Sequence, residues 1–216
     1  EFPTIGSKVK GSETIKLGRQ LSINNIIKLI SDQADKFIMF SFFGPQQLAI
    51  YAFAQGLPDQ IRGIFKIIPS VTLPHFAGRN TEVIPKTFWR YLRFLFFITL
   101  GAVLIYNIFA ELVFSLLFNT YMESVFYSRL LSLSMIPIVL TLPLITFINA
   151  RGNAKVSKLL STYTALLEIS SLLIGAYFFG FKGMVFGKII SATLIFIIAY
   201  TLTVKHHSTS QPILNG

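Results

Sequence analysis

The sequence predicts an all-α transmembrane fold, a six-helix bundle, and two observations carry it. Charged residues make up 13% of the 216, against about 25% in an ordinary soluble domain. Apolar residues make up 53%, Phe occurs 22 times, and mean hydropathy is +0.64. A soluble globule needs a polar coat that this composition cannot supply. The second observation is grouping. The apolar residues fall into six continuous runs, most near the ~20 residues that a bilayer core requires. A β-barrel would show runs of about ten residues in strict alternation instead.

The elements follow in order. Residues 1–21 are polar and basic, with Lys8, Lys10, Lys16 and Arg19 among Gly6, Gly11 and Gly18, and read as an exposed cytoplasmic linker. The first span covers 22–43 and stops at Gly44-Pro45, a strong turn signal. The second covers 46–69 and runs out at Pro69 and Pro74, followed by a polar loop to Lys86. The third covers 90–110, with an uncharged core from Phe94 to Ala110. Residues 111–123 form the next connection, part of it a helical extension. The fourth covers 124–149; it has no charge from Leu130 to Ala150, and Pro137 and Pro143 predict kinks. A short basic loop, 151–158, leads to the fifth and sixth spans, 159–180 and 183–204. Lys205-His206-His207 opens a cytoplasmic tail, 205–216. The chain begins at Glu1 with no signal-peptide pattern, and reads as a fragment of a longer protein.

The net charge of +10, from 19 Lys and Arg against 9 Asp and Glu, would point to nucleic acid in a soluble protein. Here topology accounts for most of it. With residues 1–21 inside, the inner segments hold Lys8, Lys10, Lys16, Arg19, Arg79, Lys86, Arg90, Arg151, Lys155, Lys158 and Lys205, with Arg93 just within the third span. The outer connections hold only Lys182. That asymmetry places both ends in the cytoplasm. Trp89 and Tyr91 mark the inner boundary, and Tyr121, Tyr127 and Tyr177 the outer one. No nucleic-acid partner is expected.

Several chemistries are excluded. The absence of cysteine removes disulfides, thiolate metal sites and cysteine nucleophiles. His75, His206 and His207 lack metal-ligand company, so no metal or cofactor is expected. GxxxxGK[ST], HExxH and GxSxG are all missing. The longest outer connection, 111–123, is too short for an external catalytic domain. The chain does not read as an enzyme.

Topology leaves some charges unexplained. Lys28, Lys36, Arg62, Lys66, Arg129 and Lys188 lie within spans, with Asp32, Asp35, Asp59 and Glu168. Each costs roughly 2.5–3.5 kcal/mol at a bilayer centre. In the first span, Lys28, Asp32, Asp35 and Lys36 fall within about 100° of helical arc. In the second, Tyr51, Gln55, Asp59, Arg62 and Lys66 step by three or four into another stripe. The turn makes these spans antiparallel neighbours, which puts Lys28 and Asp59 at similar depth as a candidate ion pair. Asp32 and Lys36 can pair along their own helix. One reading has these spans as marginal segments whose charges snorkel. The other has both stripes facing a water-filled cavity, the default for intramembrane charge. Aspartate is too short to snorkel, which favours the second.

Glu168 shares its face with Ser161, Thr164 and Ser171. It reads as a proton carrier, a coupling-cation ligand, or a structural acid bonded to those hydroxyls. Lys188 and Arg129 lie near span ends and read as snorkelling.

The segment from Ser31 to Ala54, through Asp35, Lys36, Gly44, Pro45, Ala49 and Tyr51, resembles the D-[KR] … G-P-x-x-x-[GA]-x-Y-x-x-A stretch of polysaccharide flippases. These belong to the superfamily that also holds multidrug extruders and the lipid II flippase. The following helix, closing at Pro69-Ser70-Val71-Thr72-Leu73-Pro74, is also similar. The resemblance implies the C-terminal lobe of a transporter of twelve to fourteen helices in a prokaryotic cytoplasmic membrane, whose N-terminal lobe is missing here. It implies flipping of a lipid-linked O-antigen or polysaccharide precursor, a polyprenyl-pyrophosphate glycan, by alternating access. Arg62, Lys66, Lys28 and Lys36 would face the pyrophosphate, and Tyr51 and Gln55 the sugars. Asp32, Asp35, Asp59 and Glu168 keep a cation-coupled multidrug antiporter of the same superfamily open. A membrane-embedded glycosyltransferase or polymerase would need catalytic residues in a large outer loop.

Overall fold

The computed structural model describes residues 11–72, 86–150 and 154–208. Among them there is no strand. The helices are α1 (Gly11–Thr72), α2 (Lys86–Leu117), α3 (Ser124–Leu133), α4 (Met135–Ala150) and α5 (Ala154–Ser208), with a single 3₁₀ turn at Asn119–Tyr121.

Two glycines fold the longest helices in half. Gly44 leaves helical backbone at φ 79°, a region closed to most L-residues by the clash of Cβ with the following carbonyl. Pro45 opens the next arm, where its missing N–H costs nothing and its fixed φ suits a first helical turn. The reversal is visible in Asp35 and Tyr51, which hydrogen-bond although 16 residues apart; a straight helix would separate them by about 24 Å. Gly180, at φ 62°, does the same in α5, where Ser171 Oγ donates to the Gly187 carbonyl at 2.8 Å. The turn expected at Gly44-Pro45 and the one expected at 180–182 are therefore both present.

The two arms of α5 meet backbone to backbone. A Cβ on Gly175 would collide with the carbonyl of Gly183, and one on Gly183 with that of Gly175. One on Gly187 would lie 2.6 Å from the Ser171 carbonyl. Small residues spaced by four permit this approach where lipid supplies no hydrophobic drive.

The fourth predicted span is two helices. Pro137 cannot donate to the Leu133 carbonyl, and its ring crowds that carbonyl. The break falls at Ser134, whose N–H and hydroxyl both turn back to Leu131 O, at 3.0 and 2.6 Å. Pro143 is carried inside α4 without a break.

Other boundaries also differ from expectation. Residues 11–21 are helical, not loop; the helical extension expected within 111–123 is present, with α2 running on to Leu117 and residues 118–123 left between α2 and α3. α1 continues past 69 to Thr72, and α5 spans 154–208. The reason is physical. Hydropathy marks where the bilayer begins, whereas hydrogen-bonded helix persists through polar sequence until something stops it. The loop after Thr72 lies outside the described residues, as do residues 1–10, 151–153 and the end of the tail.

α1 packs on α3 and α5, α2 on α3 and α4, and α4 on α5. At one end, the two glycine turns sit side by side. Phe181 meets Phe43, Tyr51 and Tyr127 edge-on, with centroids 6.2, 6.4 and 4.3 Å away. At the other, Phe88, Leu92, Leu144, Phe147 and Ala199 form a separate core. The outside is apolar: Phe94, Phe97, Leu104, Ile108, Leu166, Ile174 and Phe178 are all exposed. Four helical segments, Gln33–Phe65, Phe88–Leu117, Ser124–Ile148 and Leu160–Val204, are long and apolar enough to cross a membrane. This is an integral membrane protein.

Candidate functional site

The most deeply buried charged group among the described residues is Asp35, 1% exposed on the first arm of α1. Three donors converge on its carboxylate. Tyr51 Oη, on the second arm, donates to Oδ2 at 3.0 Å. The Lys36 backbone N–H donates to Oδ1 at 2.8 Å. Lys188 Nζ, from the second arm of α5, forms a buried ion pair with Oδ2. The Lys188 ammonium also lies 6.0 Å from the Tyr51 ring centroid, at the outer edge of cation–π range. Tyr51 is fully buried. Three helical arms are thus tied together by a neutral unit in the middle of the apolar bundle, as a bilayer demands of buried charge.

Lys188 was expected to snorkel. It does not, and the helical register explains why. Asp35 lies nine residues before Gly44, Tyr51 seven after it, and Lys188 eight after Gly180. With the two turns side by side, all three sit about 10–14 Å below them, too deep for an ammonium to reach water at that end. The signal was available only by comparing distances from two separate turns.

From Tyr51 the polar line continues down the second arm. Gln55 is buried one turn on, and Asp59 and Arg62 pair at 3.1 Å, with side chains 37% and 21% exposed. Gln55, Asp59, Arg62, Ser134 and Lys188 line a crevice with Pro58, Leu131, Met135 and Ile138. It has room for about one water molecule. Gln55 Oε1 and Arg62 Nε are buried in it without a hydrogen-bond partner among the described residues. The crevice itself is too small to be a wide aqueous cavity. The polar groups form a ladder, sealed at Asp35 and partly open at Asp59–Arg62.

The stripe expected on the first arm divides. Asp35 faces inward, while Lys36 is half-buried and donates to Gln33 Oε1 at 2.9 Å. The side chains of Lys28, Asp32 and Lys66 lie outside the described residues, and with them the expected Lys28–Asp59 and Asp32–Lys36 pairs. Asp59 takes Arg62, on its own arm, as partner. Glu168 is half-buried; of the hydroxyls expected beside it, Ser171 is committed to Gly187 and Thr164 to the Ser161 carbonyl. Arg129 reaches across to Glu111 on α2 at 3.2 Å, both at least partly exposed.

No curated protein and no solved structure matches the chain. A family model does: the one described as polysaccharide biosynthesis protein matches residues 5–126, more than half of the chain. That stretch contains the Asp35–Tyr51 hairpin and the Asp59–Arg62 ladder. The chain belongs to the polysaccharide biosynthesis protein family.

Proposed function

We propose that this chain is a six-crossing lobe of a transporter that flips a lipid-linked oligosaccharide across the cytoplasmic membrane of a prokaryote by alternating access. The observation that carries the reading is the polar ladder from Asp35–Lys188 to Asp59–Arg62, built into membrane-crossing helices of a polysaccharide biosynthesis protein. Folding Gln33–Phe65 and Leu160–Val204 at their glycines turns four apolar segments into six crossings. The basic segments then gather at the end opposite the turns, which makes that end cytoplasmic.

The ladder supports an anionic head group over a cationic drug. Asp35 and Asp59 are each already held by a cation, Lys188 and Arg62. Arg62 lies at the open end of the ladder, where its guanidinium offers a fork of donors to a pyrophosphate. Since the crevice within the lobe is water-sized, the glycan would pass along the outside of the ladder, between this lobe and a second one. The chain's own chemistry is binding and orientation, with no covalent step.

The test is transport by the full-length protein reconstituted in vesicles with a fluorescent polyprenyl-pyrophosphate glycan. Arg62→Ala with Lys66→Ala should cut the initial flipping rate at least tenfold while leaving protein incorporation unchanged. Unaltered glycan transport would sink the cationic-ladder reading. Extrusion of a cationic dye, with no glycan movement, would establish the antiporter instead.

A further inference from the structure

We propose that the lipid-facing side of α2 carries a binding site for one acidic phospholipid, with Arg90 and Arg93 as its head-group ligands. Both arginines are exposed, and no ion pair among the described residues engages either one. They lie three residues apart, so their guanidinium groups project from one side of the helix. The same side continues as exposed apolar residues: Phe94, Phe97, Leu104, Ile105 and Ile108. A helix face with two exposed arginines at one end and four turns of apolar side chains below has the amphiphilic order of a phospholipid laid beside it.

Depth supports the same occupant. The Trp89 ring packs on Tyr200 with centroids 5.4 Å apart. Tyr200 lies 20 residues beyond the Gly180 turn, about 30 Å along the helix, which is the thickness of a hydrocarbon core. Trp89 and Tyr200 therefore sit at the membrane–water boundary opposite the turns, where aromatic rings with a polar edge concentrate. Arg90 and Arg93 follow Trp89 by one and four residues, about 1.5 and 6 Å further into the span, a depth from which long guanidinium side chains snorkel back to the lipid phosphates. Charge complementarity selects an anionic head group, and the apolar face beneath selects one with acyl chains. The site is separate from the buried ladder, since α2 contributes no residue to the crevice, and it holds whatever the transported solute is.

The test uses the full-length protein purified in a mild detergent, with lipid adducts resolved by native mass spectrometry. Phosphatidylglycerol is titrated against phosphatidylcholine of the same chain length, and against undecaprenyl phosphate. The expected result is phosphatidylglycerol retained at least tenfold more tightly than phosphatidylcholine. Affinity should fall about fivefold for each arginine changed in Arg90→Gln and Arg93→Gln, as roughly one surface cation's attraction is lost each time. Lys182→Gln, in the turn at the opposite end, should leave binding unchanged. Equal retention of phosphatidylglycerol and phosphatidylcholine by the unaltered protein would overturn the proposal, and needs no variant to fold. So would indifference to both arginine changes, or preferential retention of undecaprenyl phosphate, which would make the face a substrate entry point.

Discussion

Asp35 and Lys188 are the residues where charge and burial conflict most. Removing one partner strands the other as an ion in an apolar interior, which typically costs about 3–5 kcal/mol. Removing both is far milder, since the desolvation of two charges disappears with their attraction. Asp35→Asn or Lys188→Met alone should therefore lower the thermal midpoint of the purified protein sharply. The double variant should recover most of the loss, because the Asn carbonyl still accepts the Tyr51 hydroxyl. If the double variant is as unstable as the sum of the singles, the two side chains are not coupled and the pair is not what ties α1 to α5. Tyr51→Phe is a finer probe. It removes one donor of the three that reach Asp35, so a loss of about 1.5 kcal/mol is expected, in the range for a hydrogen bond to a charged group. No measurable cost would mean that Tyr51 acts through its packing and not through the bond, because Phe keeps the ring and loses only the hydroxyl.

At the scale of elements, two kinds of glycine make different demands. Gly44 is needed for its positive φ alone, because a Cβ there would meet nothing within 4 Å. Gly44→Ala should cost about 1–2 kcal/mol, the penalty of left-handed backbone. Gly183 is needed for space, since a Cβ would be driven into the backbone of the facing arm. Gly183→Ala should cost about 3 kcal/mol, near the top of the usual range for overpacking, because backbone cannot swing aside. Denaturation midpoints of the two variants give the order directly, and the reverse order would show that the arms of α5 can part without penalty. These elements also show what a sequence discloses. Gly44-Pro45 was legible because its chemistry is local: one residue supplies the dihedral and the next forbids continuing the old hydrogen-bond ladder. Gly183 and Gly187, four apart, carried a close-approach signal of the same local kind, but the partner positions Gly175 and Ser171 emerge only once the turn between them is placed. The second-arm ladder of Tyr51, Gln55, Asp59 and Arg62 was legible from its spacing of three and four. Lys188 was not, because the periodicity of one apolar helix does not say which face meets another helix. Helix ends were the least legible, since residues 11–21 and 154–158 stay helical although their sequence is polar and basic.

For the whole molecule, the two ends of the bundle differ in both chemistry and construction. One end is made of tight connections: the Gly44 and Gly180 turns gather around Phe181, and the 3₁₀ segment Asn119–Tyr121 stacks Tyr121 on Phe53. The other holds the backbone of Lys86, Arg90, Lys158 and Lys205 and the Trp89–Tyr200 contact. Electrostatics of insertion retains basic segments on the cytoplasmic side, so the turns should face outward. The chain has no cysteine of its own, which makes single-cysteine labelling direct. Gln46→Cys and Lys182→Cys, one in each turn, should react with a membrane-impermeant maleimide in intact cells. Lys158→Cys and Lys205→Cys should react only after the membrane is permeabilised. Both pairs reversed would keep six crossings and invert the orientation. A split within either pair, with Gln46 accessible and Lys182 protected for example, would mean that one folded helix does not cross twice. Gln46 and Lys182 are the decisive positions, because the side-by-side packing of their turns requires them to share a side of the membrane whichever way the bundle is inserted.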